Sequence, residues 1–202
     1  MFEHLRTFAT KLISPVARLL LRLNVTPDAV TVVGTVGVVA AALWFFPQGQ
    51  LLTGALVITA FVFSDLLDGT MARMSGKTST WGAFLDSTLD RMGDSAIFGG
   101  LVLYFAWVVE SQLLTALTLY TLVTGWLTSY TRARAESLGY EAKLGLAARA
   151  DRLIAVLVAT GLSDIFDVPV LLEAVLWLLA LASTVTVVQR ILTVRRQARA
   201  TV

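Results

Sequence analysis

Long apolar runs, separated by short polar connections, dominate the sequence. Six of them approach the length of about 20 apolar residues that a helix needs to cross the hydrocarbon core of a bilayer. They lie at residues 27–46, 51–72, 84–108, 112–131, 150–163 and 169–189. The fifth run is short, so we expect its helix to begin earlier, near Leu144. The pattern predicts an all-α, polytopic membrane protein with six transmembrane helices.

The first 24 residues follow a different pattern. Their apolar positions recur at roughly helical spacing but are interrupted by Arg6, Lys11 and Arg18, which is not typical of a cleaved signal peptide. We expect residues 1–24 to form a cytoplasmic, amphipathic juxtamembrane helix. The sequence Thr26-Pro27-Asp28 then predicts the start of the first span, with the threonine as N-cap and the aspartate near the positive end of the helix dipole. A six-helix domain would follow over residues 25–194, and residues 195–202 would form a basic cytoplasmic tail.

The basic residues are distributed unevenly between the connections. All 16 Lys and Arg lie before the first span, around the connections between spans two and three or four and five, or after the sixth. The other three connections contain none. By the positive-inside rule, both termini and the basic connections face the cytoplasm, which agrees with an even number of spans in the cell membrane.

The amino-acid composition limits the kinds of site that the protein can form. The chain is 56% hydrophobic and 15% charged, whereas soluble domains are nearer a quarter charged. The absence of cysteine excludes disulfides, thiolate metal sites and a cysteine nucleophile, and the single histidine, His4, lies near the N-terminus. The net charge is only +2 and the basic residues do not cluster on one polar domain, so we expect no nucleic-acid partner. Carboxylates, hydroxyls and arginines remain for any chemistry.

Four aspartates interrupt the second and third apolar segments. Asp65 and Asp68 are three positions apart and Asp86 and Asp90 four apart, so each pair lies on one face of its helix. A carboxylate at membrane depth costs at least ~2.5–3.5 kcal/mol on insertion scales, so the four need compensating charge. Hard cations such as Mg²⁺ or Mn²⁺ prefer oxygen ligands, and two of them would balance four carboxylates. Paired metal ions of this kind are typical of phosphoryl transfer.

Small residues and an arginine accompany the aspartates. Gly69, Ala72 and Gly82 keep the backbone open to a flat ligand, and Arg73 can bind a phosphate through two hydrogen bonds. Three alternatives stay open: packing of helices through the small residues, ion pairs of the acids with Arg73 and Arg91, and a cation or proton carrier.

This stretch resembles the signature of the CDP-alcohol phosphotransferase family, D-x2-D-G-x2-A-R-x8-G-x3-D-x3-D. The fixed positions are filled by Asp65, Asp68, Gly69, Ala72, Arg73, Gly82, Asp86 and Asp90. The resemblance implies a six-helix membrane enzyme, usually a homodimer, in which an acceptor hydroxyl displaces CMP from a CDP-linked lipid such as CDP-diacylglycerol. It also implies that the four aspartates ligate the metal ions and that Asp90 is the general base. The CDP-lipid would be held by Asp68, Gly69, Ala72, Arg73 and Gly82.

Arginines on the later spans indicate the kind of acceptor. Arg132, Arg152 and Arg190 enter apolar helices at a similar depth, and such a cluster suits a phosphate dianion. The arginines after residue 190 are instead interpreted as anchors to lipid phosphates. We therefore expect a phosphorylated acceptor.

Residues 129–136, 149–153 and 188–190 resemble the actinobacterial branch of this family that forms phosphatidylinositol phosphate. That resemblance implies L-myo-inositol 1-phosphate as the acceptor. The acceptor site would comprise Ser129, Arg132, Arg134, Arg152 and Arg190, while Arg149 is a candidate that could instead support a loop. Glycerol 3-phosphate, which would yield phosphatidylglycerol phosphate, is the alternative acceptor.

Overall fold

The computed structural model describes residues 13–76, 79–146 and 148–200, with the side chain of Asp65 outside the described ones. Within these residues there is no β-strand, and the predicted all-α class is confirmed. Residues 13–22 are helical and are called α1. The remaining helices are α2 (Pro27–Phe45), α3 (Leu51–Val62), α4 (Ser64–Ser75), α5 (Thr80–Trp107), α6 (Gln112–Ser137), α7 (Arg149–Ile165) and α8 (Pro169–Ala200). Half of the predicted juxtamembrane helix, residues 1–12, lies outside the described residues.

Every predicted span coincides with helical structure, and the second is divided at Phe63 into α3 and α4. Three helical segments of the described chain are long and apolar enough to cross a membrane: Pro27–Gln48, Leu51–Ser75 and Pro169–Ala200. The protein is thus a membrane protein. The third, fourth and fifth predicted spans carry more polar positions or, as in α7 with 17 residues, are shorter, so a total of six spans stays a prediction.

The start of α2 follows the predicted cap. The hydroxyl of Thr26 accepts a hydrogen bond from the backbone N–H of Ala29 at 3.2 Å, and Pro27 is the first helical residue. Asp28 lies in the first turn, and its carboxylate also accepts a hydrogen bond from the indole N–H of Trp81 at 3.1 Å. Asp28 therefore joins α2 to α5 in addition to its place at the helix start.

The predicted extension of the fifth span back to Leu144 is wrong, because α7 begins at Arg149. Gly145 has φ +151°, and a Cβ atom at this position would lie 2.4 Å from Cγ2 of Thr186 in α8. The backbone N–H of Ala148 donates to the Asp151 carboxylate at 3.2 Å, which caps the new helix start. A contact with α8, far away in sequence, thus keeps this connection out of the helix.

The last helix is longer than its apolar run. It extends over 32 residues to Ala200, about 48 Å at 1.5 Å per residue. No glycine or proline follows Pro169 within it to end the helix. Residues 195–200 of the predicted basic tail continue α8 without a break, whereas residues 201–202 lie outside the described part.

The chain divides into two compact units. The first consists of residues up to Leu43 together with Leu56–Ile97, and the second of Trp44–Ala55 together with Phe98–Val202. In the first unit α2 approaches α3 and α4 closely, since a Cβ atom at Gly34 would lie 1.9 Å from the Ser64 hydroxyl. In the second unit α8 packs against both α6 and α7. The predicted carboxylates lie in the first unit and the predicted acceptor residues in the second.

Candidate active site

Asp68 on α4 is the most buried of the described signature carboxylates. Asp68 is 7% exposed, and its Oδ2 accepts a hydrogen bond from the Thr31 hydroxyl of α2 at 2.5 Å. Burial of a carboxylate is costly unless it is hydrogen-bonded or paired, and Thr31 supplies one such bond. Thr31 was not predicted as a site residue, although it lies one helical turn after Pro27, whose carbonyl oxygen is 3.1 Å from the same hydroxyl.

The second pair of signature aspartates lies one turn apart on α5, as the spacing predicts. Asp86 is exposed and Asp90 is partly buried. Nη2 of Arg91 lies 3.6 Å from the Asp90 carboxylate, so an ion pair of the kind left open above does occur at this acid. A further acid, Asp94, follows at the same four-residue spacing and is only 5% exposed. Asp94 was not predicted as a site residue because it lies outside the family signature.

The described residues contain no group of three or more His, Asp or Glu side chains that could hold a metal ion. The predicted four-carboxylate site includes Asp65, whose side chain lies outside that set, and it stays a prediction. Asp68, Asp86 and Asp90 are oxygen donors, and the chain offers no cysteine. The donor chemistry therefore fits Mg²⁺ or Mn²⁺ and does not fit a thiolate-bound metal.

The signature glycines border open space. Among the described side chains, a Cβ atom at Gly69 would have only Nη1 of Arg73 within 4 Å, at 3.9 Å. At Gly82 the nearest atoms would be the Ser79 hydroxyl at 3.4 Å and a carboxylate oxygen of Asp28 at 3.9 Å. All three distances are ordinary van der Waals contacts, unlike the 1.9 Å between a Cβ atom at Gly34 and the Ser64 hydroxyl. Helix packing thus does not explain these two glycines, and the surface beside them can admit a ligand.

Arg73 and Ala72 complete the signature on α4. Arg73 is exposed, and its Nη2 donates to the hydroxyl of Thr70, one turn earlier, at 3.2 Å. Ala72 is partly buried and accepts, through its carbonyl oxygen, the N–H of Gly76 at the helix end. The guanidinium of Arg73 is therefore accessible beside the open backbone at Gly69.

Two of the predicted acceptor arginines meet inside the second unit. Arg152 on α7 is 3% exposed, and its Nη1 donates to the Thr128 hydroxyl of α6 at 2.9 Å. Arg190 on α8 is 8% exposed; its Nη1 donates to the carbonyl oxygen of Thr128, and its Nε to that of Leu144 at 2.9 Å. The fold thus holds two buried guanidinium groups at one residue of α6.

The other predicted acceptor residues lie toward the end of α6. Arg132 is exposed and pairs with Glu136 at 3.0 Å, an i,i+4 surface pair of the kind that contributes about 0.3–0.5 kcal/mol. Arg134 is exposed and lies 3.4 Å from the Ser137 hydroxyl. Ser129 is partly buried and adjacent in sequence to Thr128. Arg149 is the first residue of α7 and is also partly buried.

The connection between α6 and α7 is fastened to α8 by side chains that the sequence analysis assigned no role. The hydroxyl of Thr186 accepts the N–H of Leu146 at 3.1 Å. Gln197 bonds to the backbone of Glu141 twice, through N–H to Oε1 at 3.0 Å and Nε2 to carbonyl oxygen at 2.6 Å. Together with the bond from Arg190 to Leu144, these contacts fix the connection beside the arginines.

The family model for CDP-alcohol phosphatidyltransferases matches residues 24–188. A phosphatidylinositol phosphate synthase of Cutibacterium acnes is 53% identical, with 97% of this chain and 98% of the relative covered. The protein of the same name from Streptomyces avermitilis is 49% identical, with 96% of this chain and 82% of the relative covered.

Solved structures agree with these relatives. A crystal structure of the Mycobacterium tuberculosis phosphatidylinositol phosphate synthase with CDP-DAG bound has a TM-score of 0.88 and 46% identity, covering 91% of this chain and 94% of that one. A structure of the same enzyme with manganese and citrate has a TM-score of 0.86 and 46% identity, covering 90% and 88%. The family inferred from the Asp65–Asp90 signature is confirmed: this chain belongs to the CDP-alcohol phosphatidyltransferase family.

Proposed function

We propose that this protein transfers the phosphatidyl group of CDP-diacylglycerol to a hydroxyl of L-myo-inositol 1-phosphate in phospholipid biosynthesis, forming phosphatidylinositol phosphate and releasing CMP. Its family and the shared name of its relatives support this activity. The observation that carries the choice of a phosphorylated acceptor is the meeting of Arg152 and Arg190 at Thr128. Two guanidinium groups held at one place favour a phosphate dianion, since the planar fork of a guanidinium matches the geometry of phosphate oxygens.

In the proposed reaction Asp90 accepts the proton of the acceptor hydroxyl, a role that needs a carboxylate within hydrogen-bonding reach. The hydroxyl oxygen then forms a bond to the phosphorus of the lipid, and the bond from that phosphorus to the CMP oxygen breaks. Asp65, Asp68, Asp86 and Asp90 would hold two Mg²⁺ ions, with Mn²⁺ as a possible substitute. Such ions supply charge neutralisation at the diphosphate when bound.

The CDP-lipid would lie against the open surface of α4. Gly69 and Gly82 let the nucleotide approach the backbone, and the small side chain of Ala72 leaves room beside them. Arg73 binds a phosphate oxygen. No described side chain would lie closer than 3.9 Å to a Cβ atom at Gly69, which supports this assignment. Asp68 would contribute to both the metal and the lipid subsites.

The acceptor phosphate would be bound by Arg152 and Arg190 from the buried side and by Ser129, Arg132 and Arg134 from α6. The surface pair of Arg132 with Glu136 is weak enough for a phosphate to compete with it. Arginine is suited to this role because its planar guanidinium can form two parallel hydrogen bonds to a phosphate.

We also propose how the chain is arranged in the membrane. Six helices span the cell membrane over residues 25–194, and residues 1–24 lie on the cytoplasmic surface as an amphipathic helix. Both termini and the active site face the cytoplasm, so that a soluble acceptor can reach them. We also propose a homodimer, which native mass spectrometry in a mild detergent would test; the detection of monomer alone would contradict it.

Release of CMP by the purified protein with CDP-diacylglycerol and Mg²⁺ tests the activity. Inositol 1-phosphate, glycerol 3-phosphate and free inositol are offered separately, each with and without EDTA. We expect release with inositol 1-phosphate alone, and its loss in EDTA. Release with glycerol 3-phosphate alone would identify the alternative acceptor, and release with none of the three would contradict the proposed activity.

A further inference from the structure

Thr128 contacts both buried arginines through different atoms. Its hydroxyl accepts from Nη1 of Arg152, and its carbonyl oxygen accepts from Nη1 of Arg190. Thr128 itself is 2% exposed. A single residue of α6 therefore connects guanidinium groups carried by α7 and α8.

The orientation of the Thr128 hydroxyl is fixed. A hydroxyl has one hydrogen, and here it is donated to the carbonyl oxygen of Gly125 at 2.7 Å. The lone pairs of the oxygen then remain for Arg152, at 2.9 Å. Serine could reproduce this arrangement, whereas valine, with the same shape, could not.

Gly125, one turn before Thr128, also contacts Arg152. A Cβ atom at Gly125 would lie 3.3 Å from Nε and 3.6 Å from Cζ of Arg152, so the guanidinium lies close against the α6 backbone. Glycine destabilises a helix interior relative to alanine, and the space that Arg152 needs gives a physical reason for it here. Gly125 and Thr128 together form a seat for Arg152, one turn apart on one face of α6.

We propose that Thr128 is a positioning residue for the acceptor: it sets the location and spacing of the two guanidinium groups that bind the acceptor's phosphate. This inference rests on the proposed function. Thr128 acts through the arginines, so its loss should weaken acceptor binding and leave the CDP-lipid subsite in the first unit unaffected.

The test compares Thr128→Val with Thr128→Ser in the purified full-length protein. CMP release is measured against inositol 1-phosphate at saturating CDP-diacylglycerol, and in a second series against CDP-diacylglycerol. We expect T128V to raise the KM for inositol 1-phosphate about tenfold, the size of a lost hydrogen bond to a charged group. The KM for CDP-diacylglycerol should stay within about twofold, and T128S should restore the wild-type KM for the acceptor.

Thr118→Val is the matched control. Thr118 is a fully buried threonine of α6 whose hydroxyl bonds to the carbonyl oxygen of Leu114, on its own helix, at 2.7 Å. The substitution removes the same atom from the same helix without touching an arginine, so both KM values should remain at wild-type levels. An unchanged acceptor KM in T128V, or equal defects in T128V and T118V, would overturn the inference.

Gly125→Ala provides the test if T128V does not fold. The added methyl group presses on Arg152 from the other half of the seat and removes no polar atom. We expect the acceptor KM to rise about threefold with the KM for CDP-diacylglycerol unchanged. A G125A enzyme with the wild-type acceptor KM would overturn the inference.

The wild-type enzyme in the same assay separates this inference from the proposed function. If it uses glycerol 3-phosphate and not inositol 1-phosphate, the proposed acceptor is wrong, and the same KM comparison with glycerol 3-phosphate decides the role of Thr128. If it uses only an acceptor without phosphate, both are overturned.

Discussion

The donor and acceptor regions are built in opposite ways. The signature residues of the first unit come from a short stretch on α4 and α5; Asp86 is exposed, and a Cβ atom at Gly69 would have no close neighbour among the described side chains. Two predicted acceptor arginines of the second unit, Arg152 and Arg190, come from separate helices, are buried, and are held by backbone and hydroxyl groups of other elements. Open space suits a site that takes up metal ions and a large nucleotide. Prearranged, buried cations suit recognition of one small anion.

The largest effect should come from Asp90, the proposed base in the donor region. Asp90→Asn keeps the size of the side chain but removes the proton acceptor, so we expect kcat to fall by about 10²–10⁴-fold. The KM for inositol 1-phosphate should change little, because the acceptor phosphate is bound elsewhere. Assays of CMP release check both values, and an Asn variant with near wild-type kcat would contradict the assignment of Asp90.

Substitution of an arginine should lower the thermal stability of the protein in the acceptor region but not in the donor region. Arg190→Ala removes donors to two carbonyl oxygens inside the second unit, and hydrogen bonds to charged groups contribute about 1.5–3 kcal/mol each. We expect a lower Tm and a large rise in the KM for the acceptor. Arg73→Ala, at an exposed arginine, should leave Tm unchanged and raise only the KM for CDP-diacylglycerol. Equal losses of Tm in thermal unfolding would contradict the contrast.

Glycine substitutions test the open space itself. Gly69→Ala meets no close neighbour and replaces a helical glycine, so it should preserve or raise stability, by up to ~1 kcal/mol, while weakening the binding of CDP-diacylglycerol. Gly34→Ala is the control in the same unit, since its Cβ atom would collide with the Ser64 hydroxyl and lower Tm. Thermal unfolding and the KM for CDP-diacylglycerol distinguish the two. A marked drop in Tm for G69A would restore the helix-packing interpretation.

The smallest effect is expected where the connection is fastened to α8. Gln197→Ala removes two hydrogen bonds to the backbone of Glu141, each worth about 0.5–1.5 kcal/mol, at a partly buried position. We expect the acceptor KM to rise about two- to threefold through the loosened connection. Arg196→Ala, at the neighbouring exposed position, is the control and should have no effect. Identical KM values for Q197A and the wild type would assign these bonds to local structure alone.

The features that depend on the spacing of nearby residues could be predicted from the sequence. The all-α class, the family and the start of α2 at Thr26-Pro27 follow from residues close together in the chain, and all three are confirmed. The start of α7 could not be predicted, because the contact of Gly145 with Thr186 joins positions far apart in sequence. Predictions made from short spacings fail where a tertiary contact decides the backbone.

The same limit applies within the candidate site. Arg152 and Arg190 were selected by their apolar surroundings, but their common partner Thr128 was missed. Thr128 is one of several threonines on α6, and nothing in the sequence separates it from Thr118, whose hydroxyl bonds only to its own helix in the structure. Buried polar partners are defined by neighbouring helices, whose positions a single sequence does not specify.

The length of α8 links the acceptor region to the physical state of the bilayer. Thr186, Arg190 and Gln197 are carried on the same uninterrupted helix as an apolar segment that is long enough to cross a membrane. A helix longer than the hydrocarbon thickness adapts to a thinner bilayer by tilting. A tilt of α8 as one rigid body would displace the arginine and both fastening points together, so we expect lipid chain length to affect the proposed recognition of the acceptor.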